Sequence, residues 1–260
     1  MAESPVLEIE DRGHVRVLHL NRPDHLNALS SPLLKELSDC LAEVEALSKI
    51  RVLVITGVGR AFSAGADIVE ESDLSLGHDD LWSLAVHKVI TAIHALRVPT
   101  IAAINGLAVG AGLDLALACS MRIVADSAWV SSGYVNIGYS PDAGGTYFLP
   151  RIVGEAHAAE MIFTGQRVTA LTAAAWGLVS RVVAADELLE TACELAEQIA
   201  SGPPIAVELA KRLLSGNADV SLETALRNEL VAGRICGASE DHAEGLQAIS
   251  ERRQPKFRGR

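Results

Sequence analysis

The stretch Thr100-Ile-Ala-Ala-Ile-Asn-Gly-Leu-Ala-Val-Gly-Ala-Gly-Leu-Asp114 is the most informative part of this chain. Its first five residues predict a buried strand, and the glycines at 106, 110 and 112 allow tight turns and close approach of a ligand to the backbone. The run Leu113–Cys119 has helix-forming composition. The free backbone amides at the start of that helix, and the positive end of its dipole, would face a bound ligand. A negatively charged oxygen is the ligand group that they stabilise best.

A second glycine-containing loop has the same setting. The apolar run Val52–Thr56 predicts a strand covered on both faces, and the loop Arg60–Ile68 follows it. Two such loops can point two backbone amides at one carbonyl oxygen. Two preorganised donors suit an enolate or a tetrahedral oxyanion.

Composition excludes several classes of protein. The chain has 260 residues, 49% of them hydrophobic, and a net charge of −11, which argues against a nucleic-acid or anionic-membrane binder. Its four cysteines are far apart, so neither a disulfide framework nor a zinc site is expected. The apolar run Val98–Leu113 contains Pro99, Asn105 and glycines, which argues against a membrane span. Without a visible secretory signal, the expected location is the cytoplasm.

Strand and helix patterns alternate along the first part of the chain, which predicts an α/β protein. The predicted strands are Val6–Glu10, Val15–Leu20, Val52–Thr56, Thr100–Asn105, Met121–Ala125, Ala128–Val130 and Val179–Val183. The predicted helices follow Ser30 and cover Trp82–Leu96, Glu155–Thr164, Ala170–Trp176 and Glu187–Ala200. After Ser201-Gly-Pro-Pro204 only helices are predicted, over residues 205–215, 221–236 and 240–251. The basic tail from Arg252 to Arg260 is either solvated or a phosphate contact.

Three polar residues have both a structural and a catalytic interpretation. Asp114 lies among leucines, where a carboxylate needs a hydrogen-bond partner, a proton or a function. Asp142 is either the N-cap of a helix beginning at Ala143 or an acid–base group. Ser63 nearly fits a nucleophile elbow, but the preceding strand ends too early, so it is interpreted as a loop residue.

Taken together, these segments resemble the crotonase superfamily, the enoyl-CoA hydratase/isomerase family. The segments that carry the resemblance are Asn21–Leu29, Arg60–Ile68, Ala103–Asp114, Pro141–Thr146 and Glu251–Phe257. The resemblance implies a spiral of ββα units over residues 1–200 and a helical trimerisation region over 201–260, often with trimers paired into hexamers. It also implies acyl-CoA thioester substrates and no metal or redox cofactor.

The resemblance assigns roles to individual positions. The two oxyanion amides fall on Ala66 and Ala111. The positions implied to hold substrate or CoA are His25, Leu26, Asn27, Ala64, Gly65, Asp67, Ile68, Gly110, Tyr134 and Arg252. Arg252 would reach CoA phosphates, often across a subunit boundary.

The catalytic acids depart from the hydratase pattern. Asp114 occupies the place of the first hydratase glutamate, and Tyr134 occupies the place of the second. Asp142 falls where several isomerase-type members carry an aspartate for proton transfer. We therefore expect an acyl-CoA isomerase in which Asp114 and Asp142 move protons, with hydration of trans-2-enoyl-CoA as the alternative. A serine hydrolase using Ser63 and a non-catalytic acyl-CoA- or RNA-binding protein are the hypotheses from other classes.

Overall fold

The predicted opening hairpin forms one edge of a larger sheet in the computed structural model, which describes residues 4–67 and 79–260. The strands are β1 (Leu7–Arg12), β2 (Val15–Leu20), β3 (Val52–Gly57), β4 (Ala61–Ser63), β5 (Thr100–Ile104), β6 (Leu107–Val109), β7 (Met121–Ala125), β8 (Trp129–Ser131), β9 (Val168–Thr169) and β10 (Arg181–Val183). The helices are α1 (Ser31–Ala46), α2 (Asp79–Ala95), α3 (Ala111–Ala118), α4 (Gly145–Thr164), α5 (Ala170–Ala175), α6 (Leu188–Ala200), α7 (Pro204–Gly216), α8 (Leu222–Gly237) and α9 (Glu240–Glu251). Short 3₁₀ turns cover Pro23–His25 and Tyr134–Ile137.

The strands form two sheets that the chain visits in turn. One has the order β1-β2-β3-β5-β7-β10, and the other has the order β4-β6-β8-β9. Apart from the antiparallel outer pairs β1–β2 and β8–β9, neighbouring strands are parallel. Each pair β3–β4, β5–β6 and β7–β8 places one strand in each sheet and is followed by a helix. This alternation is the predicted spiral of ββα units.

The core lies where the central strands meet the covering helices. Every residue of β5 and of α3 is buried. Helix α1 begins as predicted, because the Ser30 hydroxyl accepts a hydrogen bond from the Leu33 N–H and a proline occupies the first turn. Its buried face, which includes Leu37 and Leu41, belongs to the core and packs against helix α2.

Several local expectations were wrong. The segment Arg60–Ile68, predicted to be a loop, contains strand β4. The helix predicted from Glu155 starts ten residues earlier, and it includes Pro150 and a break at Gly154, whose φ is +77°. Both residues disfavour a regular helix, and tertiary packing overrides that preference. Asp142 is not an N-cap, because Gly144 occupies that position.

The C-terminal helices are attached to the core by polar contacts. Helix α7 begins directly after the predicted break, and its Lys211 ammonium donates to the carbonyl oxygens of Ile93 and Leu96. Most of the tail is exposed to solvent, but its last residues are bonded to helix α9. The buried Asp241 carboxylate accepts the N–H groups of Arg258 and Gly259 at 2.6 and 2.8 Å. No helix in the described ranges is long and apolar enough to cross a membrane.

Candidate active site

A cavity of about 520 Å³ opens between the two glycine loops. Its other walls are the turn around His25, helix α2 and the turn beginning at Tyr134. The residues that line it are Asp24, His25, Leu26, Ala28, Arg60, Ala64, Gly65, Ala66, Asp67, Trp82, Ser83, Val109, Gly110, Ala111, Gly133, Tyr134, Ile137, Tyr139 and Asp142. Segments more than 100 residues apart in sequence therefore form one site.

The two glycine loops touch through their backbones. Gly65 has a φ of +91°, and a Cβ added there would lie 2.7 Å from the Val109 carbonyl oxygen and 3.3 Å from the Ala111 nitrogen. A Cβ at Gly112 would lie 2.4 Å from the Ser63 carbonyl oxygen. Any larger residue at Gly65 or Gly112 would separate the loops, so glycine is required at both positions.

The Ala66 and Ala111 amides both lie at this contact and line the cavity. Ala111 is the first residue of α3, so its N–H has no acceptor within the helix. Ala66 pairs with Leu29 in an isolated bridge in which the Leu29 N–H donates to Gly65. Within the described residues neither amide donates a hydrogen bond to the protein. Two free donors thus line the same cavity.

Asn27 supports the first loop from behind. It is fully buried with a φ of +54°, and its amide donates to the carbonyl oxygens of Val58 and Ala61 at 3.0 and 2.8 Å. Nearby, the Arg22 guanidinium lies 2.7 Å from the Asp67 carboxylate. These contacts fix the backbone of the loop while leaving the Ala66 amide free.

Asp114 is buried behind the cavity wall, with a relative exposure of 1%. Its Oδ2 accepts a hydrogen bond of 2.7 Å from the Tyr134 hydroxyl, and the Gly145 N–H at the start of α4 also donates to the carboxyl. Burial raises the pKa of Asp114 to about 7, although these two donors oppose the rise and the nearby Asp142 charge adds to it. The carboxyl can therefore gain or lose a proton near neutral pH.

Asp142 is the carboxyl that lines the cavity. Its Oδ2 accepts a 3.3 Å hydrogen bond from the Ser83 hydroxyl, and His87 Nε2 lies 2.5 Å from its backbone carbonyl oxygen. Within the described part of the chain its Oδ1 is buried without a hydrogen-bond partner. Burial raises the pKa of Asp142. An unpaired acceptor here is available to a proton or to a donor on a ligand.

Tyr134 lies between the two acids and lines the cavity. Its hydroxyl donates to Asp114, and it also lies beside the backbone N–H and the carboxyl of Asp142. Burial, reinforced by the Asp114 carboxyl, raises the pKa of Tyr134 far above its usual value. The phenol therefore stays neutral at every physiological pH.

Most of the predicted site residues meet in the cavity, but not all of them. Among the described residues, Asp114, Asn27 and Arg252 do not line it. Arg252 is exposed at the C-terminal end of α9 with a φ of +54°. Ile68 lies outside the described residues. The roles predicted for all of the site residues, inside and outside the cavity, remain predictions.

Several lining residues were not predicted as part of the site. Trp82 was assigned to the buried face of a helix, but its indole also donates to the Leu29 carbonyl oxygen at 2.7 Å beside the cavity. Arg60 and Tyr139 are exposed residues at the cavity. The only feature of the sequence that marks Ser83 is its position next to Trp82 in the predicted helix.

Ser63 has a structural environment. It is fully buried, its hydroxyl donates to the Asn27 carbonyl oxygen at 2.8 Å, and it accepts the Gly65 N–H at 3.2 Å. It does not line the cavity. The Ser63 proton and one of the two lone pairs of its oxygen are therefore engaged in structural hydrogen bonds. In the described ranges no group of three or more His, Cys, Asp or Glu side chains could hold a metal ion.

Comparison with known proteins agrees with this geometry. The family model described as enoyl-CoA hydratase/isomerase matches residues 10–260. The chain is 37% identical over 247 residues to a short-chain-enoyl-CoA hydratase of Clostridium acetobutylicum, covering 95% of each protein. It is 34% identical over 259 residues to a 1,2-epoxyphenylacetyl-CoA isomerase of Escherichia coli, covering 98% of each.

A solved structure shows the same fold. The crystal structure of an enoyl-CoA hydratase from Bacillus anthracis superposes with a TM-score of 0.97 at 39% identity, covering 98% of this chain and 100% of that one. The predicted α/β spiral of ββα units is thereby confirmed.

Proposed function

The chain belongs to the enoyl-CoA hydratase/isomerase family, and from this premise we propose that it is an acyl-CoA enzyme of the isomerase type. It removes a proton from an enoyl thioester, holds the resulting enolate, and returns a proton at another carbon. The observation that carries this proposal is the placement of two free amides and the Asp142 carboxyl in one cavity. Coenzyme A enters only as part of the substrate.

The Ala66 and Ala111 amides suit the thioester oxygen. Negative charge develops on that oxygen when a carbon in conjugation with the carbonyl loses a proton. Donors that are already oriented need no reorganisation as the charge forms, and losing one typically costs about 2.7–4 kcal/mol of transition-state stabilisation. The positive end of the α3 dipole acts in the same direction.

Asp142 suits the proton transfer. Its Oδ1 is buried, unpaired and at the cavity, and its raised pKa brings the acid closer to the neutral range in which a general base works best. The carboxylate takes the proton as Oδ1–H while the electron pair of the C–H bond moves into the enolate.

Tyr134 supports isomerisation over hydration. The resemblance places a second carboxylate at this position in hydratases, where it would help to activate water. A phenol bonded to Asp114 is not a carboxylate, so the two carboxylates that flank the attacking water in hydratases are not both present here. Hydration is nevertheless the second candidate, because the relative from Clostridium acetobutylicum is named as a hydratase.

Assays with two substrates distinguish isomerisation from hydration. Wild type should convert a 3-enoyl-CoA to its 2-enoyl isomer faster than it hydrates a trans-2-enoyl-CoA, and Asp142→Ala should lose at least about 10²-fold in kcat for isomerisation. The exposed Asp126→Asn, outside the cavity, is the matched control. Fast hydration that survives Asp142→Ala would contradict the isomerase proposal and support the hydratase.

A homotrimer or hexamer is part of the same proposal. Helix α8 leaves Leu222, Leu226 and Leu230 exposed at a spacing of four residues, so they form one apolar stripe on the C-terminal region. A second subunit would bury such a stripe. Sedimentation equilibrium measures the assembly directly, and a monomer at micromolar concentration would contradict the proposal.

A further inference from the structure

The two predicted catalytic acids differ in their access to the cavity. Asp142 lines it, whereas Asp114 does not and is 1% exposed. The side chain between Asp114 and the cavity is Tyr134, whose hydroxyl donates to Asp114 Oδ2 at 2.7 Å. The Tyr134 phenol therefore connects the buried Asp114 carboxyl to the cavity.

The contacts of the phenol leave one position open. A tyrosine hydroxyl has one proton and two acceptor lone pairs. In Tyr134 the proton points to Asp114, and the backbone N–H and the carboxyl of Asp142 lie beside the oxygen. At least one lone pair of the oxygen remains an acceptor, and Tyr134 lines the cavity. This geometry lets the oxygen accept a proton from the cavity while it gives its own proton to Asp114.

We propose that Tyr134 is a catalytic residue whose phenol passes protons between the substrate and Asp114. This inference rests on the proposed acyl-CoA isomerisation and names a third participant in it. Asp114 is then a positioning residue that acts through Tyr134 and stores the proton. Asp142 serves one carbon of the substrate, and the Tyr134–Asp114 pair serves the other.

The proposed proton transfer through Tyr134, called the relay below, conserves atoms and charge in both directions. In removal, the substrate C–H bond breaks, a new O–H bond forms on Tyr134, its original O–H bond breaks, and the proton joins Asp114 Oδ2. In delivery, protonated Asp114 donates to the Tyr134 oxygen, while the phenol gives its own proton to the enolate carbon. The phenol is neutral before and after each step, and only Asp114 and the substrate change charge.

The surroundings of Tyr134 require both transfers to occur together. Burial and the Asp114 carboxyl strongly disfavour a free phenolate, so the phenol cannot first lose its proton and later regain one. Asp114, whose pKa is about 7, is in turn able to store a proton at neutral pH.

A purely structural pair is the competing explanation, because the Tyr134–Asp114 bond also ties α3 to the turn at Tyr134. Tyr134→Phe distinguishes the two, with Tyr147→Phe as the matched control. Tyr147 undergoes the same chemical change outside the cavity, where its ring lies beneath the Arg151 guanidinium.

The experiment measures isomerisation of a 3-enoyl-CoA, exchange of substrate protons in heavy water, and binding of a saturated acyl-CoA by calorimetry. The relay predicts that Tyr134→Phe lowers kcat about 10²-fold or more, with acyl-CoA affinity within about threefold of wild type. Asp114→Asn should show a similar loss. The double variant should be no worse than either single variant, because the two residues act as one unit.

The outcomes separate this inference from the proposed function. If wild type neither isomerises substrate nor exchanges its protons, the proposed function fails and the relay fails with it. If wild type is active and Tyr134→Phe retains its kcat, or loses only affinity and thermal stability, the relay alone is overturned. Additive losses in the double variant would also overturn it.

A measurement on wild type covers the case in which Tyr134→Phe does not fold. The rate of a proton-transfer step is followed across mixtures of light and heavy water. Two protons moving together give a curved dependence on deuterium fraction, and this is the expected result. A straight line would show that one proton moves, and it would overturn the relay.

Discussion

Asp114→Asn should remove a large pH dependence from the stability of the protein. The carboxyl is 1% exposed, and its pKa rises from 3.8 to about 7 because burial disfavours the charged form. An asparagine has nearly the same shape and does not titrate. The two proteins should therefore differ in unfolding free energy by an amount that changes with pH.

The sign and size of this change follow from proton linkage. Below about pH 4 the carboxyl is protonated in both folded and unfolded states, so the stabilisation from the raised pKa of Asp114 is fully present. As pH rises the unfolded chain loses its proton first, and the stabilisation is lost as pH passes through about 7. The rise in pKa corresponds to about 4 kcal/mol in total, of which about 3 kcal/mol lies between pH 5 and 9.

Urea unfolding at pH 5, 7 and 9, at one protein concentration, tests this reasoning. The unfolding free energy of Asp114→Asn minus that of wild type should increase by about 3 kcal/mol from pH 5 to 9. Any constant loss from the amide facing the Gly145 or Tyr134 donor cancels in this comparison. Asp186→Asn, at an exposed position, is the control. A difference that stays flat within about 0.5 kcal/mol would refute the raised pKa of the buried carboxyl.

Two further substitutions test the loops. Ala111→Pro removes one proposed oxyanion donor at the first position of α3, where proline is compatible with helix geometry. The kcat should fall about 10²–10³-fold, while the circular dichroism spectrum stays unchanged. An unchanged kcat would exclude the Ala111 amide as an oxyanion donor. Ser63→Ala leaves the Gly65 N–H without its acceptor, so unfolding free energy should fall by about 1–3 kcal/mol while most turnover is retained. Labelling of Ser63 in wild type by a fluorophosphonate probe, with complete loss of turnover in Ser63→Ala, would instead support a serine hydrolase.

Patterns with strong periodicity were readable from the sequence. The continuous apolar strands β3 and β5 and the capped start of α1 were predicted close to their observed bounds. Strands β4 and β6 have only three residues each, too few to show a period. The first half of α4 was not predicted, because Pro150 and Gly154 have low helix propensity. Tertiary packing stabilises the helix there despite these two residues.

The site was predictable to the level of backbone donors but not of side-chain networks. The glycine spacing predicted two loops that present backbone amides, and the resemblance to the enoyl-CoA hydratase/isomerase family placed those amides at Ala66 and Ala111. The hydrogen bond between Tyr134 and Asp114 joins residues 20 positions apart. The sequence does not indicate that Tyr134 lines the cavity while Asp114 lies behind it. The Ser83 hydroxyl reaches Asp142 across 59 positions, which only the tertiary fold determines.

The direct contact between the two glycine loops has a consequence for redesign. The spacing of the two amides is set by main chain packed on main chain at Gly65 and Gly112, so no side chain there can be exchanged to retune it. The opposite walls of the cavity are built from side chains, including Trp82, Ile137 and Tyr139. A library aimed at new acyl groups should therefore vary Trp82, Ile137 and Tyr139 while leaving Tyr134, Asp142 and both loops unchanged. The backbone then keeps the two amides in place whatever side chains are chosen on those walls.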